Sequence, residues 1–316
     1  MFGISRQAYY KRQNRDLKNV MENDIIIQKV GPYRKKMPRL GTGKLYKLTK
    51  PELEKMNIKI GRDKFFDLLR NEKMFVPKKK NFTKTTNSFH RFRKYKNLIK
   101  GKEVKRPEQV WVSDITYIRT EDKFEYLSLI SDYYSKRIVG YHLADNLKTE
   151  GPLKALEMAL KSRKYPGRKL THHSDRGFQY CSPFYTELLK DNHIKISMTE
   201  NGDPYENSIA ERVNGILKDE FDIAEGFVNH GQAAKEIKQT IGIYNTKRPH
   251  LSCEMMTPDQ AHETGKFKMI KWGGRKKYNT KKLNAQKLPG YSDNFLNPSS
   301  SKKIIGNNLM HKTNLK

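Results

Sequence analysis

The chain has 316 residues and carries 64 lysines and arginines against 34 acids, a formal net charge of +30. That imbalance calls for a polyanionic partner, and nucleic acid is favoured over a membrane because the cations spread through several segments. Only two cysteines occur, Cys181 and Cys253, which argues against a disulfide scaffold or a cysteine-based zinc site, and with no apolar run of about 18 residues and no apolar leader core, neither a spanning helix nor a signal peptide is expected.

Residues 1–20 are basic and aromatic and read as the remnant of a basic helical segment. Residues 21–76 form a helix-turn-helix-like DNA-binding region. In it, "TGKLYKLTKPELEKM" is a helix that Pro51 breaks or starts, "NIKIG" a turn, and "RDKFFDLLRNEKM" an amphipathic helix. Ile60, Phe65, Leu68 and Leu69 supply its buried stripe, leaving Arg62, Lys64, Arg70 and Lys73 for solvent or phosphate; an ordinary helical hairpin would look the same. Residues 77–108 are a basic connector, either a solvated linker or an arm that follows a nucleic-acid backbone with Phe, His and Tyr among its cations.

From Val110 the texture changes. "QVWVSDITYI", "KFEYLSLISDYYS" and "RIVGYHLAD" are strand-like, "TEGPLKALEMALKSR" is helical with Pro152 in its first turn, and "KLTHHSD", "PFYTELLKDN" and "IKISM" read as strand, helix and strand. Residues 109–265 are therefore an α/β domain, a mixed sheet flanked by helices, with further helices after it. Residues 266–316 hold 13 Lys or Arg and one acid, Asp293, and are expected to be a disordered basic tail.

Three carboxylates stand out. Asp114 interrupts an apolar strand, where an acid is costly unless paired or bound to a cation. Asp175 ends a strand, where α/β sheets place ligands, although a turn pairing with Arg176 is the plainer reading. Glu211 closes the capping-box word "SIAE", Ser208 to Glu211. On a helical wheel, however, Glu211 and Lys218 lie opposite the stripe of Ile209, Val213, Ile216 and Leu217, with Asn214 beside them. Acids from two strands and a helix can converge on divalent cations, and hard carboxylate oxygens suit Mg²⁺ or Mn²⁺. Of the histidines beside Asp175, strand alternation sends His172 and His173 to opposite faces, one to packing and His173 towards nucleic acid. Asp132, Asp203, Glu206, Asp219 and Glu220 have turn or surface explanations, and Glu200 is expected in a mobile loop. Tyr244, Arg248 and His250 suit packing or DNA contact equally.

Sixty residues separate Asp114 from Asp175, 35 separate Asp175 from Glu211, and Lys218 follows Glu211 by seven. With "VWVSDITYI", "LISDYYSKRIVGY", "HHSDRGFQY", "NGDPYENSIAERVNGILKDE" and "YNTKRPHLSCEMMTPDQAH", this resembles the D,D-35-E polynucleotidyl transferases, and specifically the OrfB-type catalytic protein of bacterial insertion-sequence family three, over residues 2 to 265. The resemblance implies an RNase H-like integrase core. It makes Asp114, Asp175 and Glu211 catalytic ligands of two Mg²⁺ ions, with Mn²⁺ as a substitute, and it has Lys218 hold the terminal DNA. Asn214, His173, Arg62 and Lys64 are the further candidates for DNA contact. The implied activity is metal-dependent DNA cleavage and strand transfer on double-stranded element ends and target. The implied setting is a homo-oligomer in the bacterial cytoplasm at the nucleoid, with an upstream OrfA-type or fusion partner. The chain has no heptad zipper and begins just before "FGISRQAYYKR", so it is expected to be the downstream product alone or a shortened gene model; the tail and Cys253, where leucine is usual, also depart from the pattern. A non-catalytic DNA-binding regulator and an RNA-strand nuclease on the same fold are the competing readings.

Overall fold

The computed structural model describes residues 5–76, 91–200 and 204–269. Three helices come first: α1 (Arg6–Lys36), α2 (Thr42–Lys55) and α3 (Arg62–Asn71). The Ser5 side chain accepts from the Ala8 N–H at 3.2 Å and so starts α1. The expected boundary at residue 20 falls inside this one continuous helix. Residues 6–21 are exposed, and burial begins where apolar residues recur at Ile26 and Val30. Pro51 neither breaks nor starts α2, which runs through it; Leu45, Thr49 and Leu53 pack one buried stripe that offsets the missing N–H. Phe65 and Leu69 of α3 complete this small core, with Ile60 and Leu68 half-buried around it.

A five-stranded mixed sheet follows, built from β1 (Val110–Arg119), β2 (Phe124–Asp132), β3 (Ile138–Ala144), β4 (Thr171–Ser174) and β5 (Lys195–Met198), in the order β3-β2-β1-β4-β5. The first three pair antiparallel as a meander, and β4 and β5 join the other edge of β1 in parallel. Parallel neighbours need crossovers, and α4 (Glu150–Lys161), α5 (Phe178–Cys181) and α6 (Pro183–Asp191) supply them. This is the RNase H-like mixed sheet that the resemblance implies. One face packs α4, α5 and α6 through Trp111, Val139, Leu156, Tyr185 and Leu189. Gly140 is required there, since a Cβ would fall 2.1 Å from the Ala155 carbonyl oxygen of α4.

The other face receives α7 (Ser208–Glu220) and α8 (His230–Lys247), and α9 (Pro258–Thr264) closes the described fold behind a complete Thr257–Gln260 capping box. Val213, Ile216, Leu217 and Ile241 join the same buried cluster as Leu45, Phe65 and Leu127, so the N-terminal helices and this face of the sheet share one core. Residues 91–108 pack beside β5, where Leu98 donates its N–H to Ser197 Oγ at 2.8 Å. Glu200, expected in a mobile loop, instead accepts the Asn97 N–H at 3.0 Å. The expected disordered tail lies outside the described residues beyond 269, and residues 77–90 of the expected linker and Asp203 lie outside them too. No helix among the described residues is long and apolar enough to cross a membrane.

Candidate active site

In the parallel β1–β4 ladder Val112 faces His173. Two residues further, Asp114 on β1 comes level with Asp175, one step past the end of β4, on strands about 4.8 Å apart. Alternation puts Asp114 on the same face as Val112, which packs with Ala210 of α7. Asn214 Nδ2 donates to Asp114 Oδ2 at 2.7 Å, and the Ile115 N–H to its Oδ1 at 2.9 Å. Burial, then the charge of Asp175 and less strongly that of Glu211, pushes the Asp114 carboxyl up to about 7 against those two donors. The three acids therefore share one electrostatic neighbourhood. Asp175 Oδ1 accepts the Gly177 N–H at 2.9 Å, and a Cβ at Gly177 would stand 3.0 Å from that oxygen, so glycine keeps the carboxylate's place open.

Glu211 is carried by α7, whose entry differs from the capping-box expectation. A 3-10 turn over Pro204–Asn207 leads in, the cap residue is Asn207 and not Ser208, and the Asn207 side chain makes no cap bond, so the start of the helix differs from the "SIAE" reading. The turn is fastened to the sheet instead. Asn207 Nδ2 donates to the Ser113 carbonyl at 3.0 Å, and His173 bridges Ser197 Oγ at 2.9 Å and the Glu206 carbonyl at 3.1 Å. Val213, Ile216 and Leu217 are buried while Glu211 is exposed on the opposite line. Lys218 is half-buried; burial lowers its pKa although the charges of Asp114 and Asp219 work to raise it, which puts the ammonium within electrostatic reach of Asp114.

Two expected DNA contacts change role. His173 is fully buried, its pKa is lowered to about 4 by desolvation, and both ring nitrogens are engaged, so it is a neutral brace for the start of α7. Asn214 is buried and its amide nitrogen holds Asp114. His172 is on the opposite face, as alternation requires, between Ser113 Oγ at 2.6 Å and the Tyr185 hydroxyl at 3.0 Å. Arg62 and Lys64 are exposed in the first turn of α3, away from the carboxylates in sequence and element; Arg62 bonds Asp63 and covers the Phe66 ring. Asp132 accepts from Glu108 N, Ser135 N and Ser135 Oγ at 2.7 to 2.8 Å and has a structural role at the end of β2. The brace formed by Asn207 and His173 was not read from the sequence. For His173 the trace there is a polar residue at a position inside a strand; Asn207 lies in the turn before α7 and leaves none.

No three His, Cys, Asp or Glu side chains among the described residues are close enough as placed to enclose a metal ion. The donor set nevertheless fits one. Three carboxylates offer hard oxygens, Asp114 carries a repulsion that a cation would relieve, and Asn214 Oδ1 is buried beside it without a hydrogen-bond partner.

The sequence matches family models described as integrase core domain over residues 104–204 and again over 192–258. The 31 kDa protein of insertion element IS600 from Shigella sonnei is 34% identical across 82% of this chain and 94% of its own length. Transposase InsF of insertion sequence IS3A from Escherichia coli K12 is 34% identical across 49% of this chain, and the match spans about half, 54%, of that protein. Among solved structures, the integrase catalytic core domain of HTLV-2 in complex with magnesium superposes with a TM-score of 0.40 at 19% identity, over 50% of this chain and 97% of that one.

Proposed function

The chain belongs to the transposases of insertion-sequence family three, built on an integrase core domain, and from that premise we propose that it cleaves DNA and transfers strands during transposition of an insertion sequence. The observation that carries the reading is the electrostatic stress at Asp114, an acid pushed up by burial and by two neighbouring acids inside a chain of +30. Asp114, Asp175 and Glu211 hold two Mg²⁺ ions, with Mn²⁺ as a substitute. When bound, such ions supply activation of the attacking hydroxyl and charge stabilisation at the departing oxygen.

The chain's own residues do the rest. Asn214 fixes one Asp114 oxygen, and Gly177 N–H fixes one Asp175 oxygen. Lys218 places an ammonium beside the acids to hold a terminal phosphate, and Arg62 and Lys64 meet the duplex backbone further out. In joining, a terminal 3′-hydroxyl oxygen forms a bond to a target phosphorus, a 3′-oxygen leaves with its strand, and the hydroxyl proton passes to solvent. The partners are double-stranded element ends and target DNA in the bacterial cytoplasm, with assembly as a homo-oligomer on DNA and with an upstream OrfA-type partner. Residues 21–76 serve as the DNA-binding head, and residues 109–265 as the catalytic core.

Glu211→Gln is the test. It removes one anionic ligand while keeping the side chain's size and hydrogen-bonding capacity, and far-ultraviolet circular dichroism checks that the fold is intact. The variant should bind a duplex end as tightly as the unaltered chain and lose joining of a 3′-hydroxyl end in Mg²⁺. Retained joining sinks the role given to Glu211. An unaltered chain that binds ends but never joins them, with or without the upstream partner, makes the protein a regulator.

A further inference from the structure

Glu220 ends the catalytic helix, two residues beyond Lys218, and its surroundings are unlike those of a surface acid. Arg248 forks onto it, with Nε 2.8 Å from Oε2 and Nη2 2.7 Å from Oε1, while Lys44 Nζ of α2 stands 2.8 Å from Oε1. Arg248 is 1% exposed, lies over the Tyr244 ring and gives Nη1 to the Pro249 carbonyl. It is thus a buried clamp, and the sequence word "YNTKRPH" serves packing here. The main chain repeats the connection, with the Arg39 N–H donating to the Glu220 carbonyl at 3.1 Å and Arg39 Nε 3.8 Å from Asp222.

Arg248 and Lys44 differ in what they anchor. Arg248 comes from the turn after α8, inside the core, and its bidentate fork fixes the carboxylate's plane. Lys44 comes from the N-terminal helices and is a single flexible arm on the same oxygen. A rigid helix transmits a tilt at one end to the other, and Glu211 and Lys218 both lie along α7.

We infer that Lys44 and Glu220 form a latch through which the N-terminal DNA-binding helices set the orientation of the catalytic helix, making both positioning residues for the joining reaction. The latch rests on the proposed function for its reaction and adds a communication line to it. A duplex that engages Arg62 and Lys64 acts on the unit that holds Lys44, and Lys44 holds the end of α7. Burial and the nearby Arg248 lower the Lys44 pKa to about 8, so this arm gives up its charge more readily than a solvated lysine.

The test uses the full chain with Lys44→Met, which leaves the Glu220–Arg248 pair in place, and Lys44→Arg as the conservative variant. Three readings are taken: single-turnover joining at saturating duplex end, affinity for that duplex, and amide hydrogen exchange along residues 208–220 without DNA or metal. The latch predicts that Lys44→Met joins about tenfold more slowly, binds the duplex within twofold of the unaltered chain, and exchanges faster in α7 than in β1 or β2, with Lys44→Arg restoring all three. Unchanged joining with unchanged α7 exchange overturns the latch, and so does exchange that rises equally in α7, β1 and β2. The exchange arm needs no chemistry. An unaltered chain that never joins DNA therefore defeats the proposed function while leaving the coupling measurable.

Discussion

Glu108 and Asp132 are fully buried near the start of β1, and the chain surrounds them with donors. Glu108 accepts the Lys164 and Tyr165 N–H groups at 2.7 and 2.8 Å, with His262 Nε2 at 3.4 Å and Arg163 Nε at 3.7 Å. Burial alone would raise the Glu108 carboxyl, yet His262 and those N–H groups hold it below the ordinary carboxylate range. A few residues along the same strand, Asp114 receives one amide and one backbone N–H, faces two other acids, and is pushed up to about 7. The same sheet thus satisfies one pair of acids internally and leaves another group dependent on charge from outside. A buried carboxylate that the fold has neutralised is a fastening; the one that it has left under strain is the place proposed above for a cation.

The largest effect that could break this contrast is in the reaction. Asp114→Asn should reduce joining by about 10³-fold or more, measured as single-turnover product from a 3′-hydroxyl end. The same change should stabilise the metal-free protein. An acid with a raised folded pKa takes up a proton on folding between about pH 4 and pH 7, so its cost grows as pH rises through that window. Urea unfolding above pH 7 should show Asp114→Asn more stable by on the order of 1–3 kcal/mol, with added Mg²⁺ closing the gap by stabilising only the unaltered chain. At the other cluster the signs reverse. Glu108→Ala should cost about 3–5 kcal/mol by leaving Arg163 without its counter-charge and two N–H groups buried without their acceptor, while joining per folded molecule at low temperature stays unchanged.

The acid limb sharpens the comparison further. Glu108 and Glu220 are both held below the usual range, Glu220 by Arg248 and Lys44 against its burial. Their contribution is present above the unfolded carboxylate range and is lost as pH falls through their folded values. Glu108→Gln should therefore flatten the loss of stability below about pH 4.5, read from midpoints of urea unfolding at stepped pH. The smallest effect belongs to Lys218→Met, which should weaken end binding several-fold and lower the slope of log affinity against log salt by about 1.

Much of this was legible in the sequence, because strands and helices here announce themselves by period. The meander, the crossover helices and the stripe of α7 follow from alternation in "VWVSDITYI" and from the spacing of Val213, Ile216 and Leu217. The exceptions share one cause, which is partners distant in sequence. "SIAE" reads as a capping box, but Asn207 and His173 tie the start of α7 to strands about 94 and 33 residues away in their pairings, and local reading cannot see them. His173 looks available for phosphate until Ser197 and Glu206 close on it. Glu220 looks like a surface acid until Lys44, 176 residues earlier, reaches it. Pro51 reads as a breaker because propensity is local, whereas the buried stripe of α2 is a tertiary gain.

The β1–β4 ladder has a thermal consequence. Asp114 lies within β1, and Asp175 lies one step beyond the strand that main-chain hydrogen bonds hold beside it, so the sheet acts as a gauge for their spacing that persists until the sheet itself melts. Glu211 has no such gauge; its distance from the pair depends on how firmly one helix is seated. Warming should therefore blunt the reaction while circular dichroism still reports an intact sheet, and the working temperature of the protein is the temperature at which α7 stays down.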